Sequence, residues 1–161
     1  MLKWLAIFVL LLPVFSRAEN SGQITVGGLS VHYKLQGHGS TVLIMHGGYL
    51  DLHSWDREAA ALLKHHTVLR IDLPGHGKTL GSDTTILIAE VIRMVLDSLH
   101  IHKTSLVGLS LGGVCALEFA LAHPDRTDKL VLVSSGLSGW DKVISLDKLS
   151  EHLMPYLIVL F

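Results

Sequence analysis

The stretch from Thr104 to Ala122 restricts the possible folds more than any other part of the chain, because it turns abruptly from strand-like to helical. A short β-type run, Thr104 to Val107, meets Gly108, Ser110, Gly112 and Gly113, and an Ala/Leu-rich helical pattern begins at once. A Gly-x-Ser-x-Gly set between strand and helix is a nucleophile elbow, a sharp turn that lifts the serine hydroxyl above the sheet edge. A side chain at Gly108 or Gly112 would collide with the neighbouring strand or helix across so tight a turn. Ser110 is therefore the candidate nucleophile.

The residues before the elbow supply a sheet for it to stand on. Gln23 to Val26 and Val31 to Leu35 alternate around Gly27-Gly28, which predicts a β-hairpin. Val42 to Met45 is continuously apolar, as expected of a strand buried on both faces, and it ends in His46-Gly47-Gly48-Tyr49. Ser54 to Lys64 places Trp55, Ala59, Leu62 and Leu63 on one helical face, with Ser54 as the expected cap. Thr67 to Ile71 is another buried strand, and Asp72-Leu73-Pro74-Gly75-His76-Gly77 must be a loop. Ile86 to Leu99 has helical spacing, with Asp83, Thr84 or Thr85 as its cap. After His123-Pro124-Asp125-Arg126, Leu130 to Val133 reads as one more buried strand. Strands alternating with helices predict an α/β fold, a mostly parallel sheet flanked by helices.

Beyond Ser134-Ser135-Gly136 there is helical potential around Lys142 to Leu153, then Pro155 and an apolar end from Tyr156 to Phe161. If the sheet stops at Leu130 to Val133, that strand becomes an exposed apolar edge open to self-association.

Composition narrows the function classes. The 161 residues make one domain, and 49% hydrophobic against 17% charged residues gives ample core. A net charge of -1 leaves no basic footprint for nucleic acid. The eleven histidines are scattered, and the pair His65-His66 lacks companions at ligand spacing, so no metal is expected. Cys115 is the single cysteine and reads as a small buried apolar residue. At the start, Lys3, the apolar run Trp4 to Phe15 and Ser16-Arg17-Ala18 make a secretory signal peptide over residues 1–18, cleaved after Ala18, which implies a secreted or periplasmic product. The run is too short for a stable membrane span and is broken by Pro13; an uncleaved anchoring N-terminus is the alternative. The remaining chain divides into a core over 19–136 and, over 137–161, the start of a lid region or an aberrant C-terminus.

Four motifs in order, each at a strand end, resemble the α/β-hydrolase superfamily: His46-Gly47-Gly48, Asp72-Leu73-Pro74-Gly75-His76-Gly77, Gly108-Leu109-Ser110-Leu111-Gly112-Gly113 and His123-Pro124-Asp125-Arg126. The resemblance runs from about Gln23 to Gly136. It implies that Ser110 attacks an acyl carbon and that the backbone N–H groups of Leu111 and Gly48 hold the oxyanion. Such a donor is worth about 10²–10³ in rate when aimed at the developing charge. The resemblance gives His46, with Gly47, a role in bracing the oxyanion loop, since the base in this fold follows the nucleophile. Asp72 and His76 likewise read as loop-fixing residues first and substrate contacts second. A serine elbow, where epoxide hydrolases and haloalkane dehalogenases of this fold carry aspartate, favours esters, lactones or thioesters. The motifs are similar to those of enol-lactonases, carboxylesterases and cofactor-free haloperoxidases, which implies a small-molecule acyl substrate and no cofactor.

In this fold the activating carboxylate and histidine follow the serine on later strands. After Ser110 no residue fits: the last strand ends in Ser134 and Ser135, Asp141 and Asp147 fall in a weak helical region, and neither His123 nor His152 follows a strand. At about 30 residues per strand-and-crossover unit, two further units and a lid would extend well past Phe161. The expectation is the N-terminal part of the fold, through about the sixth strand, from a serine hydrolase acting on ester-type or lactone bonds through an acyl-enzyme. The alternative is a catalytically inactive, truncated hydrolase-fold protein that binds a ligand or partner. A merely structural glycine turn in another α/β protein is the third reading.

Overall fold

A computed structural model of the chain describes residues 20–81 and 86–135, together with the backbone of 157–160. The signal peptide expected over 1–18, the caps Asp83, Thr84 and Thr85, and the helix expected around Lys142 to Leu153 lie outside the described residues.

The hairpin forms as expected. Strands β1 (Asn20–Val26) and β2 (Leu29–Gly37) pair antiparallel. Gly27 and Gly28 between them both have positive φ, 51° and 80°, the backbone that matches the right-handed twist of paired strands. Strands β3 (Thr41–Met45), β4 (Thr67–Ile71), β5 (Thr104–Leu109), β6 (Thr127–Val133) and β7 (Leu157–Leu160) complete a seven-stranded sheet in the order β1-β2-β4-β3-β5-β6-β7. β2 joins β4 antiparallel, and every pairing from β4 to β7 is parallel.

Alternation of side chains along each strand divides the core into two layers. Leu43 and Met45 of β3 point to the layer shared with helices α2 (Ile88–Ser98) and α3 (Leu111–Ala122). Val42 and Ile44 point to the opposite layer, under Ala59 of helix α1 (Asp56–Leu62). α2 buries Ala89, Val91, Ile92, Val95 and Leu96 along one side, the stripe that predicts it from sequence. α3 buries a broad side, from Gly112 and Gly113 to Phe119 and Ala120, because it sits against both the sheet and α2, and leaves Leu111, Val114 and Glu118 outside that buried side.

Two expectations differ from what is observed. The apolar end of the chain forms β7, which pairs with β6 from Leu130↔Leu157 to Val133↔Leu160. The edge of Leu130 to Val133, expected to be bare, therefore carries a strand of the same chain, and the sheet has a seventh strand where six were expected. The first helix is also entered differently. A short 3-10 turn, Leu52–Trp55, precedes α1, and its cap is Asp51, whose carboxylate accepts from His53 N–H at 2.8 Å. Ser54, the expected cap, donates its hydroxyl to Asp51 O at 2.8 Å instead. Asp51 suits the position because its short carboxylate reaches a first-turn N–H directly.

Parallel pairing puts the carboxyl ends of β3, β4, β5 and β6 at one edge of the sheet, where open α/β sheets bind their ligands. The segments leaving those ends are His46–Gly48, Asp72–Gly77, Ser110 and Ser134–Ser135.

Candidate active site

Ser110 follows the last residue of β5 and precedes the first of α3, with φ 49° and ψ -111°. A non-glycine residue held in so sparsely populated a conformation costs on the order of 1–3 kcal/mol. Four hydrogen bonds hold it there. Ser110 N–H donates to Val133 O at 3.0 Å, and Ser110 O accepts from Gly113 N–H at 2.9 Å and Val114 N–H at 3.1 Å. The fourth donor is Ser135 Oγ, 3.1 Å from Ser110 O. Nothing in the sequence singles out Ser135 as a brace for the elbow.

The glycines permit the close approach. A Cβ on Gly108 would lie 2.3 Å from Gly112 O, and one on Gly112 would lie 2.4 Å from Met45 O and 2.6 Å from His46 O. The elbow is thus seated directly on the end of β3, beside the Gly47-Gly48 loop. A Cβ on Gly47 would make ordinary contact with Leu109 at 3.5 Å, whereas one on Gly48 would meet nothing within 4 Å. Space is open beside Gly48. Among the described residues neither the Gly48 N–H nor the Leu111 N–H has an acceptor. For Leu111 this follows from its place at the start of α3, where helix N–H groups have no intrahelical partner and the helix end carries partial positive charge.

His46 ties this loop to its neighbour. It is fully buried; its Nδ1 donates to Gly47 O at 2.7 Å, and its Nε2 accepts from Leu73 N–H at 3.0 Å. Burial pushes the imidazole below its ordinary pKa, outweighing the upward pull of the Gly47 carbonyl. The ring is therefore neutral, with both nitrogens used by backbone. Trp55 Nε1 adds a bond to Met45 O at 3.2 Å. The His76 ring lies 5.2 Å from that of His46, and its Nδ1 donates to Pro74 O at 3.0 Å.

Asp72 organises the loop after β4. Its Oδ1 accepts from Leu52 N–H at 2.8 Å, and its Oδ2 accepts from Lys78 N–H at 2.8 Å and lies 2.9 Å from His32 Nδ1. Burial by itself would raise this carboxyl, but the Lys78 and Leu52 amides and His32 hold it below the usual carboxylate range. Gly77, with φ 54°, leaves room for it: a Cβ there would lie 2.2 Å from Asp72 Oδ2. His32 carries no local sequence signal for this contact, since it occupies an ordinary alternating position in β2.

The structure thus brings Gly108, Ser110, Leu111 and Gly112 together with His46, Gly47 and Gly48, and places Asp72 and His76 behind them. Among the described residues no histidine or carboxylate hydrogen-bonds Ser110 Oγ. His123, one of the few histidines after the serine, pairs with Glu90 at 3.1 Å. Asp141, Asp147 and His152 lie outside the described residues. Among the described residues no three of His, Cys, Asp and Glu converge to hold a metal ion. Cys115 is free and buried, its thiol pushed up to about 12 by burial. Beside the elbow a cavity of about 300 Å³ opens between Leu111, the Leu73-Pro74 corner and the facing sides of α2 and α3.

A family model described as alpha/beta hydrolase fold matches residues 40–157. A 2-hydroxy-6-oxononadienedioate/2-hydroxy-6-oxononatrienedioate hydrolase of Paraburkholderia phymatum is 38% identical over 122 residues, which cover 69% of this chain and 42% of that protein. Among solved structures, a hydrolase from Pseudomonas aeruginosa superposes with a TM-score of 0.68 at 29% identity, covering 78% of this chain and 51% of the other. The enol-lactonase from Burkholderia xenovorans superposes with a TM-score of 0.67 at 26% identity, covering 74% and 51%. The chain spans less than half the length of the curated relatives it matches.

Proposed function

The chain belongs to the alpha/beta hydrolase fold family, and we propose that its Ser110 is the nucleophile for hydrolysis of an ester-type or lactone bond through an acyl-enzyme. The observation that carries this reading is the strained Ser110 backbone, fixed by four hydrogen bonds and flanked by the N–H groups of Leu111 and Gly48, which have no acceptor among the described residues. Strain of this kind persists only where surrounding structure holds it, and it clusters at active sites.

In the proposed reaction Ser110 Oγ attacks the acyl carbon while its proton passes to a base. The carbonyl oxygen, now negative, sits between the N–H groups of Leu111 and Gly48, where the N-terminal end of α3 adds its dipole. Collapse of the tetrahedral species expels the alcohol, which takes a proton, and leaves the acyl group on Ser110. Water then attacks the same carbon and releases the acid. His46 and Asp72 hold the oxyanion loop and the loop after β4 in register, without touching reacting atoms.

A second reading is favoured by one observation, that no described histidine or carboxylate reaches Ser110 Oγ: the 161-residue chain binds acyl ligands without turning them over. Added imidazole separates the two. The 161-residue chain is expected to hydrolyse p-nitrophenyl acetate poorly alone, but with imidazole as an external base it should accumulate an acetyl group on the Ser110 peptide. Intact and peptide mass spectrometry read this, with Ser110→Ala as control. No acetyl on Ser110 at any imidazole concentration, or equal labelling of Ser110→Ala, would sink the nucleophile assignment.

A further inference from the structure

The cavity beside the elbow has apolar walls and one acid at its end. Leu29, Leu73, Ile88, Val91 and Val114 line it, together with Glu118, the one acid among its lining residues. Leu111, Val114, Cys115 and Glu118 stand at i, i+3, i+4 and i+7 of α3, one face of the helix. The cavity therefore starts at the residue that offers its N–H to the oxyanion and runs about 10 Å along the helix axis to Glu118, at 1.5 Å rise per residue.

Glu118 differs from the other acids nearby. Glu90 on α2 pairs with Arg93 and His123, and Asp97 pairs with Arg93 and Arg126. Among the described residues the Glu118 carboxyl has neither a hydrogen bond nor an ion pair, and burial pushes its pKa up. The Cys115 thiol beside it stays neutral, with its pKa at about 12, and acts as wall.

We infer that this cavity is an acyl-chain subsite in which the Glu118 carboxyl selects a ligand tail that is cationic or donates a hydrogen bond, and rejects an anionic tail. The apolar walls take the methylene chain, which gains by leaving water. At the far end a carboxylate without a partner among the described residues gains most from a charged donor, since bonds between ions are the strongest of the hydrogen bonds available. A carboxylate tail would meet like charge beside apolar walls, with no cationic side chain among the described lining residues to offset it. The placement of the chain's reactive end rests on Ser110 being the nucleophile; the binding preference does not.

Displacement of the neutral fluorophore N-phenyl-1-naphthylamine from the 161-residue chain tests the inference. The competitors are n-octylamine, n-octanol and octanoate near pH 8, where amine and carboxylate are both charged. Octylamine is expected to bind about tenfold tighter than octanol, a difference of about 1.4 kcal/mol, with octanoate weakest. Glu118→Gln should bring the three within about twofold, Glu118→Asp should keep the order, and Val114→Phe, which fills the cavity, should weaken all three. The inference is overturned if Glu118→Gln keeps the amine preference, if Val114→Phe leaves binding unchanged, or if no competitor displaces the fluorophore. Ser110→Ala should retain the full order. A chain that shows the amine preference but no imidazole-dependent acetyl on Ser110 would keep the subsite and lose the nucleophile, and the reverse result would do the opposite.

Discussion

Replacing Asp72 by Asn is a nearly isosteric change that tests how the loops behind the elbow are held. Asp72 is 1% exposed, and its carboxylate receives three donors, the amides of Leu52 and Lys78, each at 2.8 Å, and His32 Nδ1 at 2.9 Å. Asn keeps one acceptor oxygen and turns the other into NH₂, which must then face either the Leu52 N–H or the Lys78 N–H. A buried donor left without an acceptor costs about 1–3 kcal/mol, and the surviving bonds lose their charge assistance, which roughly doubles the strength of such bonds. Together the loss is about 3 kcal/mol. At a few degrees per kcal/mol for a domain of this size, Asp72→Asn should melt roughly 10 °C below the parent at neutral pH. The carboxyl is held below its ordinary pKa in the folded chain, so its stabilisation is complete above the unfolded value of about 3.9 and is lost as pH falls through the folded value. Urea titrations followed by circular dichroism should therefore show parent and variant converging below about pH 4. A variant that melts within about 2 °C of the parent, or a gap that stays constant into acid, would refute the loop-fixing role and leave Asp72 free to be read as a substrate contact.

Gly112→Ala is expected to lower stability although alanine is the better helix former by about 1 kcal/mol, because its Cβ would meet Met45 O at 2.4 Å and His46 O at 2.6 Å. Thermal melting should fall by several degrees, and imidazole-dependent acetylation of Ser110 should be lost with it, since the backbones at the end of β3 and at the start of α3 must both move. His46 is kept neutral in the fold by burial, so unfolding takes up a proton below about pH 6.5, the unperturbed value. The parent should accordingly lose stability as pH falls through that range, by up to about 1.4 kcal/mol per pH unit from this one group, and His46→Phe should remove this component of the slope while lowering stability at neutral pH.

The fold was legible where a residue's role is set by its immediate neighbours. Gly27-Gly28 between alternating runs specifies a hairpin, the unbroken apolarity of Val42 to Met45 specifies a strand covered on both faces, and Gly108 to Gly113 specifies the elbow. Each depends on local sterics or on side-chain period, and each appears in the structure. What was not legible depends on partners distant in sequence. The apolar end of the chain had no periodicity to distinguish it, and it becomes β7 only because β6 offers an unpaired edge. Ser135 braces Ser110 across 25 residues of sequence, and His32 reaches Asp72 across 40. Arg70, a charge inside an otherwise apolar strand, is buried against Gln36, Leu52 O and Asp56, and no pattern within β4 announces those partners. Ser54 was displaced as a cap for a local reason, since Asp51 three residues earlier caps a 3-10 turn there and takes the Ser54 hydroxyl on its own carbonyl.

The described histidines can be weighed as bases for Ser110 by what each would have to give up. His46 is nearest along the fold, since its own carbonyl abuts Gly112. Rotating its ring to the serine would break the bonds to Gly47 O and Leu73 N–H and leave two buried groups unpaired, at about 1–3 kcal/mol each. General-base assistance is worth about 10²–10⁴ in rate, or roughly 3–5 kcal/mol at 1.36 kcal/mol per factor of ten. The gain would be largely cancelled, and a ring whose pKa is already depressed by burial accepts a proton less readily still. His32 would abandon Asp72 and His76 would abandon Pro74 O on the same terms. His123 is tied to Glu90 and stacked on Phe119 at the far end of α3, a whole helix away from Ser110. Ser110 and the N–H groups of Leu111 and Gly48 are thus brought together at the ends of adjacent strands β3 and β5, and each of His32, His46, His76 and His123 would have to give up a bond it already makes before it could serve Ser110 as a base.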